Sequence, residues 1–241
     1  MIYFVADLHL SPQTPGAIGI FTAFLRRIAQ MGNALYILGD FFAAWVGDDE
    51  AELPVFRGIV AALRQASDAG LAVAFLHGNR DFLLGEVFTK ASGARLLPDP
   101  YVLTTPEWQF VLSHGDALCT DDVAYQQFRA HTRSAEWRQA FLAQPLETRR
   151  ALAERLRQQS EAEKRGKAIY LKDLNPADTD DFLRRHGYVT FIHGHTHQPG
   201  RHDHVVDGIH VERWVLADWS ETRGETLAWD GAVLARQVLA A

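Results

Sequence analysis

Residues 2–9, IYFVADLH, join a short apolar run to an aspartate and a histidine that are separated by one residue. Such a run is typical of a buried β-strand, and a polar pair at its end marks the carboxyl edge of the strand. Apolar runs at residues 35–38, 71–76, 110–112 and 189–192 are likewise followed by polar clusters. Because loops converge at the carboxyl ends of strands in open α/β sheets, we expect these clusters to meet at one edge.

Helical stripes separate the first three apolar runs. Apolar residues recur with the spacing of one helix face over residues 17–28, before a Gly32-Asn33 stop, and again over residues 55–66. Strands that alternate with helices indicate the α/β class, with a sheet whose strands are largely parallel.

The carboxyl-terminal part has a different pattern. The segments VVDGIHV, residues 205–211, and LAWDGAVL, residues 227–234, each place Asp-Gly between strand-like residues. Asp-Gly supplies the positive φ angles of a tight turn, so the sequence predicts two antiparallel hairpins. The expected fold is therefore a mixed sheet or a two-sheet sandwich with helices outside.

Strand signals are missing between Asp121 and Lys172, where aromatic residues lie in a polar helical background. From residue 126 to residue 172 the Lys and Arg residues outnumber the Glu residues by six. The rest of the chain therefore carries a net charge of −12. We predict a basic helical insertion, approximately residues 121–172, in an acidic α/β domain spanning residues 1–241. Its aromatic residues are expected to form a small core under the insertion; they are Tyr125, Phe128, Trp137 and Phe141.

Composition narrows the class of protein. The chain has 241 residues, 47% of them hydrophobic, and a net charge of −6, which does not favour nucleic-acid binding. Cys119 is the single cysteine, so no internal disulfide forms. The start has no basic signal region, and no apolar stretch is long enough to span a bilayer. We expect a cytoplasmic protein that needs no obligate protein partner.

The polar clusters after the five apolar runs consist of residues that bind divalent metals. Carboxylate, amide and imidazole groups together suit Mn²⁺, Fe²⁺ or Zn²⁺. Seven ligands exceed the need of one ion, but two ions that share a bridging carboxylate would use them all, and such a pair can clamp a phosphate and activate water. The candidate ligands are Asp7, His9, Asp40, Asn79, His114, His195 and His197.

Each candidate ligand also has an ordinary structural interpretation. Asp40 after a glycine is typical of a turn or a helix cap, Asn79 tolerates left-handed backbone, and His114 could be a core histidine. The metal hypothesis therefore depends on the conjunction of all five clusters, which chance does not readily produce.

In their order and content, the five clusters resemble the signature of the calcineurin-like metallophosphoesterases. The blocks are Asp7-Leu8-His9, Gly39-Asp40, Gly78-Asn79-Arg80-Asp81, His114-Gly115-Asp116 and Gly194-His195-Thr196-His197. The resemblance implies a four-layer sandwich, in which two mixed sheets are flanked by helices. It also implies that one ion binds Asp7, His9, Asp40 and His197, while Asp40, Asn79, His114 and His195 hold the other, with Asp40 as the bridge.

Arg80 stands where most members of the superfamily have histidine. With Asp40-Phe41-Phe42 and the run from His114 to Asp122, it makes the chain similar to the bacterial UDP-2,3-diacylglucosamine diphosphatases of lipid A synthesis. That resemblance implies two Mn²⁺ ions per chain and a peripheral position on the cytoplasmic face of the inner membrane. The implied reaction is attack of water on the α-phosphorus of UDP-2,3-diacylglucosamine, which gives UMP and 2,3-diacylglucosamine 1-phosphate.

The resemblance also implies roles for individual residues. Arg80, Asp40 and His195 would be catalytic, with the guanidinium of Arg80 holding diphosphate oxygens as charge develops. The insertion would act as a lid that receives the acyl chains, and residue 164 is a lysine where asparagine is expected. The implied substrate-binding residues are Asn79, Arg80, Asp122, Ser160, Lys164, Lys167 and His195.

Two other functions are compatible with parts of the pattern. A different metallophosphoesterase activity, such as that of a phosphatase, phosphodiesterase or nuclease, would use the same metals, although Arg80 and a lid argue against it. A binding scaffold without catalysis would have no need for all seven ligands.

Overall fold

A computed structural model describes residues 1–31, 34–166 and 173–240, without the side chains of residues 159–166. The predicted Gly32-Asn33 helix stop therefore lies outside the described residues. The strands are β1 Ile2–Val5, β2 Ala34–Leu38, β3 Ala72–Leu76, β4 Arg95–Leu96, β5 Tyr101–Thr104, β6 Gln109–Leu112, β7 Thr190–His193, β8 Gly200–Val206, β9 Ile209–Val215, β10 Arg223–Trp229 and β11 Leu234–Ala240. The helices are α1 Pro15–Ala29, α2 Pro54–Asp68, α3 Glu86–Ser92, α4 Val123–Thr132, α5 Ala135–Leu142, α6 Leu146–Gly166 and α7 Pro176–Arg185.

The described strands form two mixed sheets. The first has the order β11-β10-β1-β2-β3-β4 and the second the order β5-β6-β7-β9-β8. The run from β1 to β4 is parallel, as are the β6-β7 and β7-β9 pairs. The α/β class and the two-sheet sandwich are thus confirmed, whereas the short strands β4 and β5 have no counterpart in the sequence-based prediction.

Alternating residues of the strands divide the core into layers. On β1, Val5 packs towards α1 and α2, while Phe4 packs between the sheets against Phe110 of β6. On the far side of the second sheet, Phe191 of β7 packs against α7. The order helices, sheet, sheet, helices is the four-layer arrangement that the family resemblance implied.

Helix α1 shows how the sequence produces this layering. Pro15 occupies its first turn, where the missing N–H costs no hydrogen bond, and Arg26 and Arg27 lie in its last turn, where cations favour the helix dipole. Its buried residues, including Phe21 and Phe24, recur at helical spacing and face the first sheet.

Both predicted hairpins are present, one in each sheet. The β8-β9 hairpin turns at Asp207 and Gly208, which have φ angles of 53° and 80°. The β10-β11 hairpin has a longer loop, in which the Asp230 carboxylate accepts hydrogen bonds from the N–H groups of Ala232 and Val233. That side-chain contact replaces the two-residue Asp-Gly turn which the sequence suggested.

Helices α4, α5 and α6 follow one another within the segment where we expected the insertion. The carboxylate of Asp122 accepts from the N–H of Tyr125 at the start of α4, and Ser134 caps α5 in the same way. No helix in the described ranges is both long and apolar enough to cross a bilayer.

The expectation of a separate small core under the insertion is wrong for the described aromatic residues. Trp137 and Phe141 stack on each other with ring centroids 4.5 Å apart and join the main core beside the first sheet. Phe128 is exposed, and the hydroxyl of Tyr125 donates to a carboxylate at a strand end. A helix that docks on an existing core needs no second core of its own.

Buried charges fasten the start of α6 to the body. The guanidinium of Arg149 is buried, donates to the carbonyl oxygen of Val46 over 2.5 Å, and pairs with Asp49. Next to it, Glu50 is buried and accepts from the N–H of Val46 over 2.7 Å, with Arg150 Nε 3.7 Å away. Burial raises the pKa of Glu50 to about 7.

The raised pKa of Glu50 predicts a loss of stability with rising pH. The folded protein holds a proton on Glu50 that the unfolded chain releases near its ordinary pKa of 4.5. Relative to Glu50→Gln, wild-type protein should therefore lose about 3 kcal/mol of unfolding free energy between pH 4.5 and pH 7, and no more above pH 7. Urea unfolding of both proteins across this range measures the difference. A difference that does not change with pH would contradict the prediction.

Candidate metal centre

The candidate ligands follow the carboxyl ends of parallel strands from both sheets. Asp7 and His9 follow β1, Asp40 follows β2, and Asn79 follows β3. From the second sheet, His114 follows β6, and His195 and His197 follow β7. The sandwich places these two edges side by side, so residues far apart in the sequence approach one another.

Two groups of ligand atoms are close enough to hold an ion. Asp7, His9 and His197 each offer an atom within 4.8 Å of the others, and so do Asp7, Asp40 and His114. Asn79 joins the second group, because its Oδ1 lies 3.0 Å from Nε2 of His114. The same Oδ1 lies 2.9 Å from Nδ1 of His195. The structure thus brings all seven predicted ligands together.

Asp40 lies between the two groups. Its Oδ2 is 3.9 Å from Nδ1 of His9, and its Oδ1 is 3.6 Å from Nε2 of His114. The two carboxylate oxygens therefore face opposite sides of the cluster, as a bridging ligand requires. Asp7 also belongs to both groups, which the sequence did not suggest.

Unpaired buried atoms indicate that the cluster fits a cation. Oδ1 of Asp7 and Nδ1 of His9 are buried, and neither has a hydrogen-bond partner among the described residues. Buried polar atoms without a partner are costly, and a metal ion would remove that cost. Nδ1 of His114 lies 2.9 Å from the carbonyl oxygen of Leu38, which directs Nε2 towards the cluster. This donor set fits a pair of divalent ions.

The charges of the cluster are strongly perturbed. Burial disfavours the imidazolium of His114, but the carboxylates of Asp40 and Asp7 outweigh burial and raise its pKa to about 9. Burial lowers the pKa of His9 to about 4. Burial alone would raise the pKa of Asp7. The contacts with His197 and His114 outweigh burial and hold this pKa well below its ordinary range. Such shifts, caused by burial and by close opposite charges, are typical of functional sites.

Arg80 is adjacent to the cluster. Its Nε lies 3.4 Å from Oδ2 of Asp40, and its backbone N–H donates to Oδ1 of the same carboxylate over 2.9 Å. Its side chain is 19% exposed, so it remains accessible from the site. The structure therefore places Arg80 beside the ligand cluster, and its contact with a diphosphate stays a prediction.

The predicted substrate-binding residues of the insertion are described in part. Asp122 caps α4, as shown above. Ser160 and Lys164 lie on α6, but their side chains are outside the described part of the structure, and Lys167 lies outside the described residues altogether. Their proposed contacts with a substrate remain predictions.

Comparison with known proteins identifies the family. A family model described as calcineurin-like phosphoesterase matches residues 1–199. The chain belongs to the calcineurin-like phosphoesterase family. A protein of Aromatoleum aromaticum named UDP-2,3-diacylglucosamine hydrolase is 48% identical over 95% of this chain and 93% of that protein. One of Chromohalobacter salexigens with the same name is 45% identical over 91% of this chain and 89% of its own length. This calcineurin-like phosphoesterase is accordingly a hydrolase.

Two buried carboxylates of this calcineurin-like phosphoesterase were not among the predicted site residues. Asp81 accepts hydrogen bonds from backbone N–H groups of both ligand loops that follow β2 and β3. Asp116 accepts from Tyr125, Arg129 and Arg133 of the insertion. Each stands two residues after a candidate ligand, within a block already noted in the sequence. That regular spacing was the available signal.

Asp40→Ala should abolish binding of both ions, because its two oxygens face both groups of ligands. We expect the bound metal to fall from about two ions per chain to well below one, as for a two-metal site that loses its bridge. Elemental analysis of protein dialysed with excess Mn²⁺ gives the content. Asp68→Ala, on the exposed side of α2, is the matched control and should retain both ions. Two ions retained by Asp40→Ala would contradict the bridging role.

Proposed function

We propose that the protein hydrolyses the diphosphate bond of UDP-2,3-diacylglucosamine in lipid A biosynthesis. Water would attack the α-phosphorus, and the products would be UMP and 2,3-diacylglucosamine 1-phosphate. The observation that carries the proposal is that Arg80 lies beside Asp40, within a cluster that contains all seven candidate metal ligands. The relatives that are named for this substrate and align over nine-tenths of the chain support it.

Residues in the cluster fit two Mn²⁺ ions in the assignment that the family resemblance implies. Asp7, His9, Asp40 and His197 would hold one ion, and Asp40, Asn79, His114 and His195 the other. When bound, such ions supply Lewis acidity at the phosphate and lower the pKa of water in the site. Oxygen and nitrogen ligands are compatible with Mn²⁺, as they are with Fe²⁺ and Zn²⁺, and the choice of Mn²⁺ is the one that the family resemblance implies.

Arg80 would orient the diphosphate and stabilise charge on its oxygens. Its Nε faces Asp40, and a guanidinium carries further donors in a planar fork that matches a phosphate group. Because guanidinium stays protonated, Arg80 cannot serve as the general acid for the leaving phosphate. Its contribution is electrostatic and grows as charge develops on the way to the transition state.

His195 and Asn79 would contact both a metal ion and the substrate. Nδ1 of His195 lies beside Oδ1 of Asn79, and the ring of Tyr125 lies over the His195 ring with centroids 5.8 Å apart. Helix α4 therefore covers the side of the centre on which His195 lies. A cover of this kind would exclude water from the reacting phosphate.

Metal-stripped protein should release no UMP from UDP-2,3-diacylglucosamine, and added Mn²⁺ should restore the release, because the ions would polarise the phosphate and activate water. A chromatographic assay of UMP measures the outcome. Robust restored hydrolysis of bis(p-nitrophenyl) phosphate or DNA, with none of the lipid nucleotide, would instead favour a phosphodiesterase or nuclease. Full metal occupancy without hydrolysis of any of these would favour the binding scaffold.

The same assay measures the role of Arg80. Arg80→Lys keeps the charge but removes the planar fork, so we expect kcat to fall about 100-fold, as when one transition-state donor is lost. Metal content should stay at the wild-type level, since the seven ligand side chains are unchanged. Wild-type kcat in Arg80→Lys would show that its fork does not act on the diphosphate.

We also propose that the protein associates peripherally with the cytoplasmic face of the inner membrane. Val123, Phe128 and Leu142 of α4 and α5 are exposed apolar residues on the basic insertion. Exposed apolar side chains on a helical surface favour the interface of a lipid bilayer. Co-sedimentation with vesicles containing phosphatidylglycerol should be reduced by Phe128→Ser together with Leu142→Ser. Equal recovery of wild type and variant in the supernatant would contradict the proposal.

A further inference from the structure

One buried carboxylate joins the first helix of the insertion to a strand end of the metal centre. Oδ2 of Asp116 accepts a hydrogen bond from the Tyr125 hydroxyl over 2.6 Å and from Nε of Arg129 over 2.7 Å. Nη2 of Arg133 donates to the same oxygen over 3.3 Å. Asp116 is fully buried and follows His114 by two residues. A single oxygen thus accepts three hydrogen bonds, two from residues of α4 and one from Arg133, which caps the carboxyl end of α4.

The three donors lie on one face of α4. Tyr125, Arg129 and Arg133 are spaced four residues apart, and residues four apart lie above one another on a helix. This stripe is turned towards the centre, whereas Val123 and Phe128 are exposed. One carboxylate thus holds α4 at three points along its length, beside the hydrogen bonds that Gln126 donates to the carbonyl oxygens of Asp116 and Cys119.

Arg133 reaches a second strand end as well. Its Nη2 also donates to the carbonyl oxygen of Gly78 over 2.9 Å, the residue directly before Asn79. Its guanidinium lies over the ring of Phe82, 5.4 Å from the centroid. Phe82 in turn contacts Trp137 of α5 with centroids 6.1 Å apart. Arg133 stands at the joint between α4 and α5, and so fixes both helices against the loops of the centre.

We propose that Asp116 and Arg133 are positioning residues that set the height of the helical insertion over the metal centre. They thereby determine how well the acyl part of the substrate is bound, while the hydrolytic step depends on the ligands and Arg80. This assignment rests on the proposed function, since it supposes that the insertion receives the acyl chains. Neither residue contacts the reacting phosphate in this assignment.

Kinetics of Arg133 variants test the assignment. In Arg133→Gln the bonds to Asp116 and Gly78 weaken, so we expect KM for UDP-2,3-diacylglucosamine to rise about tenfold with kcat within about twofold, the pattern of lost ground-state binding. Arg133→Lys retains the positive charge, so its KM should lie between those of wild type and Arg133→Gln. Arg155→Gln makes the same charge change on an exposed part of α6 and should leave both constants unchanged.

A double-mutant cycle on KM tests whether Asp116 and Arg133 act together or independently. If Asp116 acts through Arg133, Asp116→Asn with Arg133→Gln should raise KM no more than the larger single change, because contacting residues are not additive. Additive effects would overturn the pairing. A fall in kcat or in bound metal in Arg133→Gln would overturn the positioning role and assign Arg133 to the centre itself.

Hydrogen–deuterium exchange tests, without any substrate, whether Arg133 and Asp116 hold α4 in place. The amides of residues 125–133 should exchange faster in Arg133→Gln than in wild type or Arg155→Gln, while those of β1 and β2 keep their protection. Unchanged exchange in α4 would overturn the inference even if the protein folds and binds metal normally. Failure of wild-type protein to hydrolyse the lipid nucleotide would instead refute the proposed function, and the exchange result would still stand on its own.

Discussion

The carboxylate of Asp81 is the contact on which the first half of the metal centre depends. Its Oδ1 accepts from the N–H groups of Gly78, over 2.8 Å, and Asp40, and its Oδ2 accepts from Phe41, over 2.7 Å, and Phe42. These donors belong to the loops after β2 and β3, so one side chain fixes two ligand loops in register. Burial and the nearby charge of Asp40 raise the pKa of Asp81 to about 7, and the backbone donors reduce this rise only in part.

Backbone strain recurs in the ligand loops of both sheets, including the Asp40 loop that Asp81 holds. Five candidate ligands have φ angles between 49° and 68°, in the left-handed region that residues with a Cβ avoid; they are Asp7, His9, Asp40, His195 and His197. Each such residue costs about 1–2 kcal/mol. Non-glycine residues in this region cluster at functional sites because the surrounding contacts can compensate for them. Left-handed backbone turns successive side chains back towards one point, which is what a compact ligand cluster requires.

Two glycines make the approach of the loops possible. A Cβ on Gly78 would lie 2.2 Å from the backbone nitrogen of Asp40, and a Cβ on Gly194 would lie 2.4 Å from Oδ2 of Asp7. Neither distance is compatible with a side chain. The glycines that accompany Asn79 and His195 in the sequence are therefore needed because carboxylate and backbone of a neighbouring loop occupy the space of a Cβ.

The part of the ligand cluster that belongs to the first sheet was predictable from the sequence for a simple physical reason. Parallel strands end at a common edge, so the polar residues after β1, β2 and β3 had to meet wherever the apolar runs paired. The Asp-Gly turn at Asp207 was local as well, and its backbone angles follow from residue type. What depends on periodicity or on neighbouring residues in the chain could be inferred directly.

Contacts between distant segments could not be inferred in this way. Asp81 and Asp116 are ordinary acidic residues in the sequence, and their roles depend on which backbone groups the fold brings to them. The docking of Trp137 and Phe141 on the main core depends on the position of Phe82, 55 residues before Trp137 in the chain. Helical spacing shows that a face is apolar, but not which surface covers it.

The charge asymmetry seen in the sequence acquires a different meaning from the structure. Taken alone, the excess of Lys and Arg in the insertion would place free positive charge on its surface. Instead, four of its arginines pair with carboxylates of the body, namely Arg129 and Arg133 with Asp116, Arg149 with Asp49, and Arg150 with Glu50. Because those carboxylates are the ones that dock the helices, much of the opposite charge serves to hold insertion and body together. In the proposed function, contacts with the anionic diphosphate would then come chiefly from Arg80 and the bound ions, whose ligands belong to the body itself.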